Sequence, residues 1–473
     1  MSRSPVPSPA TARCNMLHSA AIRPALFAAL VVIGVLPFTT GCSNSGGGDS
    51  GDVTIDVNPP GATLDANFGG GTGVAFLAAG EGRAVSVVED SSGRLIVAGE
   101  VADASDNVQI GVWRLLDDGT LDTTFNGGTG VRLFDPSPTV TPDENAVAGL
   151  VIDNAGRIVV AGTAGDATDT DVFVARLFDS GQPDLTFGTA GGIVTGGNDG
   201  TTLHHDIATG VVVDAATRIV VTGVSSEIGV PGTSEAAASR FLTIGLADPN
   251  WDGDGLFLSG GSVDRANEPF VDGSGNAVLV GSSGDALALW SLNSDGTLDT
   301  GFGSGGVATL GAPGGGALVP VRSRLYDSVS VVVTGTRTAT GEADRLFVAR
   351  VFGDGTFDTS FASTGVATIG TSLGDSGGNA LVVAPNGQVV ASGATTLDDG
   401  SSGTTAAGGL WLLFSDGTLD ASLAGTGHVH LSAALDAPSD AHGVLIDSSS
   451  RVVVVGAADT GAGTFAPIVW RVP

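Results

Sequence analysis

Five histidines stand beyond the first forty residues of the chain: His204, His205, His428, His430 and His442. His204-His205-Asp206 and His428-Val429-His430 each bring two imidazoles together, and the second pair falls on one face of a strand, a spacing that suits two ligands of a transition metal. No third or fourth ligand follows at a standard spacing, so both pairs are expected to be ordinary loop and strand residues. Trp251-Asp252-Gly253-Asp254-Gly255 alternates acids with glycine as half of a calcium loop does, which makes Asp252 and Asp254 the candidate Ca²⁺ ligands. The downstream bidentate glutamate is missing and Asp-Gly turns occur throughout, so no cofactor is expected, Ca²⁺ being the one to test. No Gly-x-Ser-x-Gly elbow, His-Glu-x-x-His zinc motif, phosphate-binding loop or dinucleotide fingerprint is present. Paired carboxylates among the 50 acids would have to be assembled by the fold.

The elements that would position these side chains are rich in turns. The 473 residues include 75 glycines, about 16%, more than twice ordinary usage. Hydrophobic residues make up 42%, enough to bury a core. The basic residues are all arginine, 19 of them against 50 acids, for a net charge of -31. A surface this negative repels nucleic acid and anionic membrane faces, and it also keeps a protein soluble. Cys14 and Cys42 both lie near the start, so no disulfide or cysteine-based metal site staples the rest.

Residues 1–41 read as a signal peptide. Arg3, Arg13 and Arg23 precede an apolar run from Pro24 to Phe38 that is too short to span a bilayer comfortably. The run ends in Thr39-Thr40-Gly41-Cys42-Ser43, which resembles the bacterial lipoprotein box, although that pattern prefers leucine where this chain has Thr39. The resemblance implies lipidation of Cys42 and a protein held on the bacterial cell envelope as an outer-membrane lipoprotein; cleavage at an ordinary small-residue site would leave it secreted. Residues 42–60 read as a flexible Gly/Ser/Asp tether. Removal of the leader leaves 16 arginines and a net charge of -34.

Residues 61–473 are built from one pattern repeated seven times. The first column is Leu-Asp-x-x-Phe, seen in Asp65 and Phe68, Asp122 and Phe125, Asp184 and Phe187, Asp299 and Phe302, and Asp358 and Phe361. Two copies are degenerate: Asp248 with Trp251, and Asp420 with Leu423. A second column is a β-branched run closed by glycine at 99, 162, 223, 281, 335, 393 and 456. A third is a strand ending in Trp-Arg or Ala-Arg, as at Arg114, Arg176, Arg350 and Arg471, followed by a turn glycine. Each unit holds four short segments of strand composition between Asp-Gly, Asn-Gly or Ser-Gly turns, and convincing helical periodicity is lacking.

These features predict an all-β chain: a seven-bladed β-propeller of four-stranded antiparallel blades, closed by the N-terminal strand near Val74 joining the C-terminal blade that ends at Val472. The aromatic column is expected to wedge between blades, the aspartates to accept hydrogen bonds from turn amides, and Arg114 and its counterparts to pair with loop acids.

The linked motifs Leu-Asp-x-x-Phe-Gly-x-x-Gly-x-Val, Asp-x-x-Gly-Arg-Ile-Val-Val-Ala-Gly and Ala-Arg-Leu-x-x-Asp-Gly resemble the delta-60 repeat, a bacterial domain regarded as a β-propeller. The resemblance implies the fold and carries no catalytic residues. Asn293-Ser294-Asp295-Gly296-Thr297 and Phe414-Ser415-Asp416-Gly417-Thr418 are similar to the Asp box of sialidase propellers, itself a structural turn; the single tyrosine, Tyr326, is expected to pack. The reading is a monomeric binding or interaction platform with an unknown protein or glycan partner, no nucleic acid, and a membrane contact through the lipid only. The competing reading is an envelope or extracellular hydrolase or lyase, acting on a polysaccharide at the channel mouth.

Overall fold

The computed structural model describes residues 52–55 and 61–473, apart from 78–80, 139–144, 167–168, 189–190, 197–203, 229, 231, 262, 328–329, 372–373, 399–403, 432–437 and 461–462. The leader, Cys14, Cys42 and most of the tether lie outside the described residues. Among those described, no helix is long and apolar enough to cross a membrane.

The structure is all-β and runs in groups of four antiparallel strands, as the short apolar segments between Asp-Gly turns dictate. Gly82–Glu89, Leu95–Ala102, Val108–Leu115 and Val131–Phe134 form one such sheet in chain order. Asp264–Val271 through Val307–Leu310 form another, and Gly377–Val383 through His428–Leu431 a further one. Two groups, Ala146–Ile152 to Ile193–Gly196 and His204–Val213 to Leu256–Leu258, are linked by a parallel pair between Thr170 and His205. The group from Ala317–Leu325 to Val366–Thr371 carries Asp52–Ile55 as a parallel strand on its outer edge. In the last sheet Ser439–Ile446, Val452–Asp459 and Phe465–Val472 are completed by Val74–Phe76, from the other end of the chain. The first strand of each group packs on the first strand of the next, and Ser439–Ile446 packs on Gly82–Glu89.

Every first strand has a β-bulge at the same place. The register slips between Ala84 and Ser86, Val147 and Gly149, Ala208 and Gly210, Ala266 and Glu268, Pro320 and Arg322, Gly378 and Ala380, and Ala441 and Gly443. This explains the glycine column. Each of its members pairs with the residue at the bulge, and a Cβ there would lie only 1.8–2.2 Å from the carbonyl oxygen that the bulge turns toward it. The bulged side chains also stitch neighbours together: Thr209 Oγ1 donates to the Ala266 carbonyl (2.7 Å), Asn379 Nδ2 to that of Ala441 (2.8 Å), and Asn267 Nδ2 to that of Pro320.

Candidate functional site

The recurring Asp, Arg and aromatic side chains form a fixed constellation between sheets. Asp122 Oδ1 accepts from the Thr124 amide (2.9 Å) and hydroxyl (2.7 Å), and its Oδ2 accepts from Arg114 Nε (2.8 Å). The Arg114 guanidinium lies 4.8 Å over the Phe125 ring and donates from Nη1 to the Asp179 carbonyl of the next sheet (2.5 Å). The same arrangement occurs at Arg176, Asp184 and Phe187, at Arg240, Asp248 and Trp251, and at Arg350, Asp358 and Phe361. It occurs once more at Arg471, Asp65 and Phe68, where the ion pair (2.8 Å) joins residues 406 positions apart. Asp299 and Asp420 lack the arginine, because Ser291 and Leu412 stand in its place; they accept from the amides of Gly301 (3.0 Å) and Ser422 (2.9 Å).

The buried aromatics Phe68, Phe125, Phe187, Trp251 and Phe361 each meet a turn glycine of the following sheet. At Gly119 and Gly181 a Cβ would stand 2.8 and 2.7 Å from the Phe68 and Phe125 rings. Phe302 packs in the same way against Gly355. Burial pushes the Asp122 carboxyl up, but the Thr124 hydrogen bonds and Arg114 outweigh it and leave it below the usual carboxylate range. In the five copies that keep the arginine both carboxylate oxygens are engaged, and the role of these acids is structural.

The other candidates stand apart from one another. His204 Nδ1 lies 3.3 Å from the Ser225 hydroxyl, and His205 Nδ1 3.4 Å from that of Thr170. His428 is buried and stacked on Trp411 at 4.5 Å, and among the described residues neither ring nitrogen has a hydrogen-bond partner. Burial of this imidazole, with a smaller push from His430, lowers its pKa to about 3, so it is neutral at ordinary pH. His442 Nε2 is 3.6 Å from Asp440. Asp254 accepts from the Leu256 amide (2.9 Å), and burial, together with Asp254 and Asp295, pushes the Asp252 carboxyl up. Tyr326 packs beneath the Arg350 guanidinium (4.7 Å). Among the described residues, no three His, Cys, Asp or Glu side chains converge as metal ligands.

A cavity of about 410 Å³ lies where the first strands meet, lined from Val85–Val88 through Leu150, Val211 and Phe270 to Val444. The lining is mostly apolar, with a small charged group. Arg322 reaches across from Ala317–Leu325: Nη2 donates to the bulged Ala148 carbonyl (2.8 Å) and Nη1 to that of Thr209 (3.0 Å). Glu268 binds Arg322 Nη1 (3.2 Å) and Arg324 Nη1 (2.7 Å), while the Arg324 side chain stays 42% exposed. The bulges present the Ala148 and Thr209 carbonyls to the Arg322 guanidinium, which fills the role of a resident cation there. Sequence reasoning missed this group, yet its signal exists. At the second bulge position the strands read Ser86, Gly149, Gly210, Glu268, Arg322, Ala380 and Gly443, small residues in five strands and charge in two.

Comparison with known proteins fits the fold. A family model described as a domain of unknown function (DUF5122) beta-propeller matches residues 91–125, 156–187 and 330–361. No curated protein matches the chain. Among solved structures, the chain resembles a catalytically inactive virginiamycin B lyase from Staphylococcus aureus with quinupristin at 8% identity, covering 84% of this chain and 98% of that one, with a TM-score of 0.45. It also resembles the alpha-L-arabinofuranosidase Arb93A from Fusarium graminearum at 10% identity, covering 90% and 98%, with a TM-score of 0.40. The polysaccharide lyase Uly1 is similar at 10% identity, covering 84% and 90%, with a TM-score of 0.40. At these identities and scores the likenesses carry no argument about activity. The three matched segments cover about a fifth of the chain and agree with a β-propeller repeat.

Proposed function

We propose that the chain is a closed seven-bladed propeller of delta-60-like repeats, exported by a lipoprotein signal, tethered through Cys42 to the bacterial envelope, and acting as a monomeric binding platform. Closure is supported by the pairing of Val74–Phe76 with Phe465–Val472, by the Arg471–Asp65 ion pair and by the packing of Ser439–Ile446 on Gly82–Glu89. Shared last sheets of this kind remove the open edges of a stack.

The observation that carries the binding reading is the axial cavity. Its size suits a small ligand or a loop of a larger partner, and its walls are mostly apolar with a few convergent charges. Binding is favoured over glycoside hydrolysis because that reaction takes two carboxyl groups, whereas among the described residues Glu268 is the one carboxylate in the lining and is held by two arginines. A partner protein or glycan then meets the axis and the turns around it.

The test is capture from envelope extracts and from a glycan panel, comparing the native chain with Val212→Trp, which puts a bulky ring in the cavity wall. A ligand retained intact by the native chain and lost by the variant supports the reading; equal capture by both contradicts it, and a ligand recovered cleaved favours the hydrolase. Cys42→Ser releases the protein into the soluble fraction if the anchor is correct, and unchanged fractionation refutes the anchor.

A further inference from the structure

The repeat supplies its own control for a second site. Arg83 and Glu100 are directly opposite each other on adjacent strands, and Arg83 Nε donates to the Glu100 carboxylate. Glu100 is fully buried, and its other oxygen accepts from the Val147 amide of the neighbouring sheet (2.7 Å). Arg265 occupies the register position of Arg83, one residue before the bulge partner, and its opposite residue is Ser282. The arginine is kept, but the carboxylate is gone.

Among the described residues Arg265 makes no ion pair, and its Nη2 is buried without a hydrogen-bond partner. A buried guanidinium in this state is costly, because water has been removed and nothing replaces it. Burial alone pushes its pKa down to about 10, so it keeps its charge at neutral pH. The residue remains partly exposed, which leaves a way in from solvent.

We propose that the Arg265–Ser282 pair is a binding site for a small carboxylate, which takes the place that Glu100 fills beside Arg83. The argument is one of matching fragments. Serine lacks the distal methylene and carboxylate of glutamate, and acetate is very nearly that missing piece. A planar carboxylate accepts from the guanidinium fork with charge-assisted hydrogen bonds, and the Ser282 hydroxyl can donate to it. The other opposite pairs at this position are Ala146 with Thr163, Ile207 with Val224, Val319 with Thr336, Gly377 with Ala394 and Asp440 with Ala457, none of which offers a cation.

The test is isothermal titration of the full chain with acetate, and separately with the neutral isostere acetamide, in a zwitterionic buffer. The native chain is expected to take up one acetate and no acetamide. Arg265→Gln removes the cation and Ser282→Glu supplies the carboxylate in cis, so both are expected to weaken acetate binding at least tenfold. Ser282→Glu is also expected to melt higher than the native chain in the absence of acetate. Lack of saturable acetate binding by the native chain, undiminished binding by Arg265→Gln, or equal binding of acetamide overturns the proposal. The outcome is independent of the axial cavity, because neither substituted residue lines it.

Discussion

Gly99 and Gly93 sit six residues apart in Asp90-Ser91-Ser92-Gly93-Arg94-Leu95-Ile96-Val97-Ala98-Gly99, and replacing each by alanine separates two reasons for using glycine. Gly93 has φ +76 in an Asx turn, and the nearest atom to an added Cβ is the flexible Glu89 Oε1 at 3.7 Å. The cost of Gly93→Ala is therefore conformational, about 1 kcal/mol. Gly99 has no such backbone requirement, but its Cβ would stand 2.1 Å from Arg83 O and 2.8 Å from Ala84 Cα. Carbon and oxygen rest near 3.3 Å, so about 1 Å of separation must come from two paired strands whose outer faces are packed. Overpacking that cannot be relieved by a side-chain rotation places the cost of Gly99→Ala at about 3 kcal/mol or more. Urea unfolding followed by tryptophan fluorescence, with Trp113 in the same sheet, reads both variants. A loss below about 1 kcal/mol for Gly99→Ala, or a larger loss for Gly93→Ala, would refute the role assigned to the bulge.

Asp122→Asn removes the buried partner of the Arg114 guanidinium and leaves it only the longer contact to the exposed Asp179 carboxylate (3.3 Å); the change is expected to cost about 3 kcal/mol in thermal melts, whereas Asp299→Asn, which faces Ser291 rather than arginine, is expected to cost about 1 kcal/mol. Equal losses would show that the ion pair adds nothing. The Asp122 carboxyl is held below its usual value, so its stabilisation is complete above about pH 4 and is lost as the pH falls through the lowered value. His428 works in a different window. Its folded pKa of about 3 lies below the 6.5 of an exposed imidazole, so the unfolded chain takes the proton first and stability falls as the pH drops from 6.5 toward 3, by roughly 4 kcal/mol in all. His428→Phe keeps the stack on Trp411 and removes the titration; its advantage over the native chain is expected to grow between pH 6.5 and 4, and a constant difference across that range counts against the assignment.

The architecture was legible because it repeats. Asp122, Phe125 and Gly162 stand in columns that a single chain supplies several times over, and strand segments between Asp-Gly turns leave little choice of sheet. The charged group in the cavity was not legible for the opposite reason. Arg322 and Glu268 work by departing from their column, where the other five strands carry serine, glycine or alanine, and a search for recurrence discards such exceptions. The glycine column itself was visible without its cause, since the bulge carbonyl that excludes a Cβ comes from the opposite strand. Arg265 shows the same limit: only the register that sets Ser282 against it, and Glu100 against Arg83, makes the missing carboxylate apparent.

Val74–Phe76 and Phe465–Val472 decide whether the ring is closed, and Ala75 stands opposite Val469 across that pairing. The direct measurement places cysteines at 75 and 469 in a chain lacking Cys14 and Cys42, oxidises it, and maps the linkage by mass spectrometry. A quantitative intramolecular disulfide with a raised melting temperature is the predicted result. Two thiols that stay free under oxidation, or that link only between separate chains, would contradict the closed ring.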